Sequence, residues 1–329
     1  MANANNPDNQ ISSTRRDMGI DSFRYMMCFP VALLHVNTRH TGLDQQTLTA
    51  IVMNACRVAV PFFFIASGYF MRVPQTWTAS LIWRPLTRLL PVYLAWLLIY
   101  AATDAAIYGG VYNITIKTIF TGGSAYHLWF LPILSLALAL SPTAIIILGI
   151  RTTAFVFFTL SLIGLAFGAY HNALSLPAIG GIRLTMAPIL VLMGYIIKHM
   201  SIKINAPSAI LATITLLFLM YAEELFISSF SNTTPQSHDV IFSTYPLGVA
   251  IFLLAKSFNR KQLLVFPARL GTLSLGIYAS HLLFLRVLTH RMGHNTMVSA
   301  VILAIAATLS ATVFSLALAR VPVARRLVR

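Results

Sequence analysis

The chain has 329 residues, of which 57% are hydrophobic and only 9% charged, and its mean hydropathy is +0.78. A soluble domain carries about a quarter charged residues, and a surface this apolar would not stay dispersed in water, so the composition excludes a water-soluble globular protein. The 23 Lys and Arg against 8 Asp and Glu give a net charge of +15, yet these basic residues sit at the ends of apolar stretches, as the positive-inside rule expects. No basic run is interleaved with aromatics, so no nucleic-acid partner is expected.

Residues 1–19 are polar and read as a flexible cytoplasmic tail. About 20 apolar residues span a bilayer as a helix, and ten stretches qualify: 20–38, 51–71, 86–108, 127–148, 152–170, 184–199, 207–226, 240–256, 271–290 and 297–319. The first lacks a small-x-small cleavage site and is read as a retained helix rather than a signal peptide. Breakers separate the stretches, among them Gly109-Gly110, Gly122-Gly123, Gly180-Gly181 and the polar segment 228–238. The expected architecture is all-α: a polytopic transmembrane bundle of about ten helices over 20–319 with a basic cytoplasmic tail at 320–329 and both termini inside. With that topology 17 of the 23 basic residues fall on the cytoplasmic side, leaving Arg39, Arg57, Lys117, Arg183, Arg286 and Arg291 outside with the acids Asp44, Glu223, Glu224 and Asp239. Cys28 and Cys56 lie in apolar runs without metal-ligand spacing and read as packing residues; no metal is expected.

Ionisable groups at membrane depth are costly and therefore candidates for function. The first stretch runs Gly19-Ile20-Asp21-Ser22-Phe23-Arg24 and reaches His35. On one straight helix, eleven residues at about 100° each bring Arg24 and His35 to one side, about 16 Å apart along the axis. Asp21 is one turn before Arg24 and can pair with it, and Pro30 is placed to bend the helix. Histidine titrates near neutral pH and suits general-base work; the blander reading makes Arg24 an inner-surface anchor and His35 a hydrogen-bonding partner of a neighbouring helix. The second stretch ends in FFFIASGYF, where Ser67 and Gly68 permit close helix contact and Ser67 has no visible His/Asp partner for nucleophilic work. Arg84 and Arg88, one turn apart in WRPLTRLLP, suit a phosphate through their fork-shaped donors, or anchor the inner end of their helix. In YHLWFLP an aromatic belt explains Tyr126 and Trp129 but not His127, and LGIYASH places His281 near mid-membrane. Cationic inner sites beneath a histidine-rich outer half suggest a path for group transfer across the membrane; a carrier of a small anion or glycan precursor is the rival reading.

Taken in order, GIDSFR with His35, FFFIASGYF, RLLPVY, YHLWFLP and LGIYASH resemble the acyltransferase-3 family of bacterial membrane O-acyltransferases over most of 19–290. That resemblance implies a multi-pass protein of the bacterial inner membrane. Its donor would be acetyl-CoA, used as a coenzyme A thioester from the cytoplasm, and its acceptor a hydroxyl of a surface polysaccharide or lipid-linked glycan such as O-antigen. Family members carry a basic residue followed after ten positions by a critical histidine, matched by Arg24 and His35, so these become the expected catalytic pair. His35 would act as general base on the acceptor hydroxyl or carry the acyl group transiently. Arg24 with Asp21, and Arg84 with Arg88, would hold the coenzyme; Arg88 matches the second arginine of the family's inner motif, whereas the first falls at Pro85 and Arg84 stands one position early. His127, Trp129 and His281, with Ser67 and Tyr69, would shape the acceptor side. Some relatives carry an additional extracytoplasmic esterase-like domain after the last helix; none is expected here.

Overall fold

Within lipid, backbone N–H and C=O groups have no water to bond and must pair inside their own segment, so each apolar stretch folds as helix. A computed structural model of the chain describes residues 17–36, 43–108, 122–231, 238, 240–258, 265–291 and 296–328, the side chains of 43–48, 107–108, 231 and 290–291 excepted. The Gly109-Gly110 connection, most of 228–238, and Arg15, Arg16, Arg39, Lys117, Asp239, Arg260, Lys261 and Arg329 lie outside these residues, as do the side chains of Asp44 and Arg291. The helices are α1 (Met18–Met26), α2 (Cys28–Leu34), α3 (Leu43–Arg57), α4 (Ala59–Tyr69), α5 (Ser80–Tyr108), α6 (Phe130–Leu148), α7 (Ile150–Phe167), α8 (Ile182–His199), α9 (Ala206–Ser231), α10 (Thr244–Ser257), α11 (Val265–Gly271), α12 (Ser274–Arg291) and α13 (Met297–Arg320), and a 3-10 segment, Gly123–Trp129, leads into α6. No strand occurs among the described residues.

The all-α transmembrane bundle expected from the sequence is what the chain forms. Seven helical spans are long and apolar enough to cross a membrane, and an eighth is obtained if α11 and α12, which meet at a 77° bend, are taken as one. The two other predicted stretches are helical but fall short as single spans. One is α10, 14 residues long. The other is the first stretch, which breaks at Met27 between α1 and α2. Pro30 explains the break: it lacks an N–H and its ring clashes with the carbonyl four residues earlier, that of Met26. The bend foreseen at Pro30 takes the form of a one-residue break at Met27, whose own backbone stays right-handed helical and across which the Met27 N–H donates to the Phe23 carbonyl at 2.8 Å and the Val31 N–H to that of Met27 at 3.4 Å. Asp17 caps the start of α1, its carboxylate accepting the Ile20 N–H at 3.2 Å.

Helices in lipid associate through close packing rather than through water exclusion. The tightest seam joins α4 to α8. A Cβ on Gly68 would stand 1.8 Å from the Val191 carbonyl oxygen, and one on Gly194 would stand 2.0 Å from that of Ile65, so the two backbones touch where any side chain would hold them apart. Of the small pair Ser67-Gly68, Gly68 makes this contact. Phe62, Phe64 and Phe252 are fully buried at α4 and α10, as are Trp96 and Tyr100 on α5, and the Trp96 indole donates to the Leu327 carbonyl at 3.1 Å. α7 and α9 instead turn large apolar side chains outward; Phe155 and Phe218 are each 71% exposed, which marks these faces as lipid contacts.

Candidate active site

The end of α2, the 3-10 segment and the interior of α12 converge on one cluster. His35 follows the last residue of α2 as its cap, His127 sits in the 3-10 segment, and His281 lies in α12. The His35 ring stacks on that of His281, with centroids 5.4 Å apart, and meets His127 edge-on at 5.9 Å; His127 and His281 are 5.0 Å apart. Tyr126 closes the cluster beside His35 at 5.1 Å. The sequence separates these residues by up to 246 positions, and the fold brings all three predicted histidines together.

The surrounding carbonyls set the proton positions. His281 Nδ1 lies 2.6 Å from the Tyr278 carbonyl oxygen, which can only accept, so Nδ1 carries the hydrogen and Nε2 is a bare lone pair. His127 is fixed the opposite way. Its Nε2 faces the Ala279 carbonyl at 3.3 Å and the Tyr100 hydroxyl at 3.5 Å. That hydroxyl already donates to Ala279 O at 2.9 Å, so Nε2 of His127 is the donor and Nδ1 is bare. The Tyr278 hydroxyl in turn donates to the backbone carbonyl of His127. Both bare nitrogens, His127 Nδ1 and His281 Nε2, are buried with no hydrogen-bond partner among the described residues. An unsatisfied buried acceptor costs about 1–3 kcal/mol, a cost that a ligand's O–H or N–H would relieve. The arrangement can therefore receive protons from a hydroxyl. Among the described residues, no group of three or more His, Cys, Asp or Glu is placed to hold a metal ion.

Trp129 stands beside this cluster with the Arg183 guanidinium 4.5 Å above its ring, and Arg183 is within electrostatic range of His35. Ser67 and Tyr69 do not join it. The Ser67 hydroxyl is spent on the Phe63 carbonyl of its own helix at 2.8 Å. Tyr69, at the far end of α4, lies between Lys198 and Lys256, whose ammonium groups are 5.9 and 5.4 Å from its ring centre. Both had been expected with the acceptor-side histidines; small size and aromatic character reveal nothing about which end of a helix faces which partner.

The end that carries Tyr69 is cationic. Arg24 pairs with Asp21 at 3.5 Å, as the one-turn spacing predicts, and keeps 35% of its side chain exposed. Arg88 lies within electrostatic range of Arg24. Arg84, one turn earlier on α5, is exposed. Arg24, Arg88, Lys198 and Lys256 thus supply cations that could hold a polyphosphate, at the opposite end of the first stretch from His35.

Four residues around the histidines had no assigned role in the sequence reading: Tyr100, Tyr278, Asp104 and Arg286. Asp104 and Arg286 form an ion pair, and each is an ionisable group inside an apolar stretch, the signal that singled out the histidines. A cavity of about 360 Å³ lies elsewhere, among Phe158, Ser161 and Leu165 of α7, Met193 of α8, and Tyr245 and Val249 of α10; it contains none of the site residues.

Comparison with known proteins agrees with this picture. An amino-acid racemase of Enterococcus faecalis is 30% identical over 122 residues, which is 35% of this chain and 16% of that protein, so the chain matches only a small part of that relative's length. No solved structure matches the chain significantly. The family model described as an acyltransferase domain, of the acyltransferase-3 type, matches residues 18–320. That match runs from the first residue of α1 to the last of α13 and takes in both the histidine cluster and the cationic end, so the chain belongs to the acyltransferase-3 family.

Proposed function

We propose that this membrane acyltransferase moves an acetyl group from cytoplasmic acetyl-CoA to a hydroxyl of a cell-surface polysaccharide or lipid-linked glycan at the bacterial inner membrane. The observation that carries the reading is the cluster of His35, His127 and His281, in which two imidazole nitrogens are held bare and unpartnered. A hydroxyl is the group such a site lacks. The cationic end, with Arg24, Arg84 and Arg88, suits the phosphates of the donor through guanidinium forks, with Asp21 paired to Arg24. About 16 Å separates Arg24 from His35 along a straight helix axis, a span to which the long flexible arm of coenzyme A is suited. Lys and Arg concentrate at the donor end, and the positive-inside rule supports a cytoplasmic side for it.

In this reading His35 accepts the acceptor's proton as the hydroxyl oxygen bonds to the acyl carbon; the carbon–sulfur bond breaks, and the proton passes to the departing sulfur. A route in which His35 first holds the acyl group balances equally, with the coenzyme leaving before the hydroxyl attacks. Trp129 offers an apolar face for a sugar ring beside His127.

The test is transfer of label from acetyl-CoA to the glycan fraction of membranes containing the full chain or its His35→Ala variant. Label as alkali-labile O-acetyl is expected with the wild type and a loss of at least 100-fold with the variant, in the range for a general base. Equal transfer by both would remove His35 from the mechanism. Substrate uptake without any donor-dependent transfer would favour a carrier.

A further inference from the structure

Asp104 of α5 and Arg286 of α12 are charged groups inside apolar helices. Burying such a pair gains little over apolar packing, so its attachments have to be asked for their use. Asp104 is 7% exposed; its Oδ1 takes the Arg286 Nη1 donor, and its Oδ2 has no hydrogen-bond partner among the described residues. The guanidinium has two further engagements. Nη2 donates to the Ser124 carbonyl, near the start of the 3-10 segment that carries His127. The guanidinium also lies 5.2 Å over the ring of Tyr100, whose hydroxyl stands at His127 Nε2. A simple brace between α5 and α12 would need only the carboxylate. Here the two further engagements of Arg286 lead to the backbone and to the ring contact that orient His127.

We propose that Asp104 and Arg286 are positioning residues: the pair clamps the 3-10 segment and backs Tyr100, so that His127 keeps its Nδ1 turned into the histidine cluster. The catalytic consequence rests on the acyl-transfer reading above; the structural one does not. Asp104 orients the guanidinium so that its planar fork reaches the carboxylate and the Ser124 carbonyl together, a geometry that lysine, with its single ammonium, cannot reproduce.

The experiment uses the full chain in membranes, with Arg286→Gln, Arg286→Lys, Asp104→Asn, His127→Ala and the double variant Arg286→Gln/His127→Ala. The first readout is chemical. Carbethoxylation of His127 by diethyl pyrocarbonate, followed by peptide mass spectrometry, is expected to rise several-fold in Arg286→Gln and Asp104→Asn while modification of His199, remote from the clamp, stays level. Unchanged His127 reactivity in both overturns the clamp, whatever the protein's activity. A rise at His127 and His199 alike means general unfolding and overturns it too. The second readout is labelled acetyl transfer. Each clamp variant is expected to lose about 100-fold in rate, the scale of a misplacement of about 1 Å, with an unchanged KM for acetyl-CoA, and Arg286→Lys to recover less than a tenth of the loss. In the His127→Ala background, Arg286→Gln is expected to add less than threefold; a further loss of the full size shows that the pair acts by another route. Absence of donor-dependent transfer in the wild type itself would sink the acyl-transfer reading and leave the reactivity result to decide the clamp.

Discussion

His281 gives its Nδ1 hydrogen to the Tyr278 carbonyl, one turn back on its own helix, and so keeps Nε2 free for whatever enters the cluster. Asparagine in its place retains a donor for that carbonyl and removes the bare nitrogen. His281→Asn is therefore expected to accumulate normally and to slow acetyl transfer by about 100-fold or more; an unchanged rate in the labelled assay would reduce His281 to a packing residue. The three histidines were legible as candidates because an imidazole in an apolar stretch needs a reason. Their hydrogen positions were not legible. Those depend on the carbonyls of Tyr278 and Ala279 and on the Tyr100 hydroxyl, and for His127 these lie 27 to 152 positions away. Asp104 and Arg286 carried the same signal of charge in an apolar stretch, but pairing across 182 positions leaves no local spacing to read.

At the scale of helices, hydropathy marks where a segment must be helical but not whether it is straight. The first stretch shows the difference. Its apolar content was plain, and Pro30 stood in the sequence as a source of bending; the missing N–H and the clash with Met26 interrupt the helix for one residue, Met27. The Asp21–Arg24 pair lies within one turn of α1 and was readable; the relation of Arg24 to His35 crosses the break at Met27. The seam of α4 and α8 gives a quantitative prediction. A methyl group on Gly194 would stand 2.0 Å from the Ile65 carbonyl oxygen and 2.7 Å from the Tyr69 nitrogen, both backbone atoms that no rotamer change can move. Gly194→Ala is expected to lower stability by about 1–3 kcal/mol, the usual cost of overpacking, seen as a lower melting temperature of the detergent-solubilised protein. Wild-type melting behaviour would mean that the two helices have room to part.

For the molecule as a whole, length, hydropathy and the distribution of Lys and Arg sufficed for an all-α multi-pass bundle, because lipid leaves the backbone few alternatives. The break in the first stretch has its cause in that stretch, at Pro30, whereas the short α10 and the corner between α11 and α12 had no such mark. The proposed orientation can be checked on whole cells. Cys28 and Cys56 are buried and give little background, while Thr78 and Asn172 are exposed on connections assigned to opposite sides. A membrane-impermeant maleimide is expected to label Asn172→Cys on intact cells and Thr78→Cys only after permeabilisation; the reverse pattern would invert the topology and place the cationic end outside. One further consequence follows from backbones that touch. Because α4 and α8 cannot slide past each other without lifting apart, they behave as a fixed stator, and whatever admits a reactant has to give way on the other side of the bundle, where α2 is only 7 residues long and α11 meets α12 at a sharp corner. A chemical staple across the seam should thus leave turnover untouched, whereas the same staple from α2 to α12 should stall it.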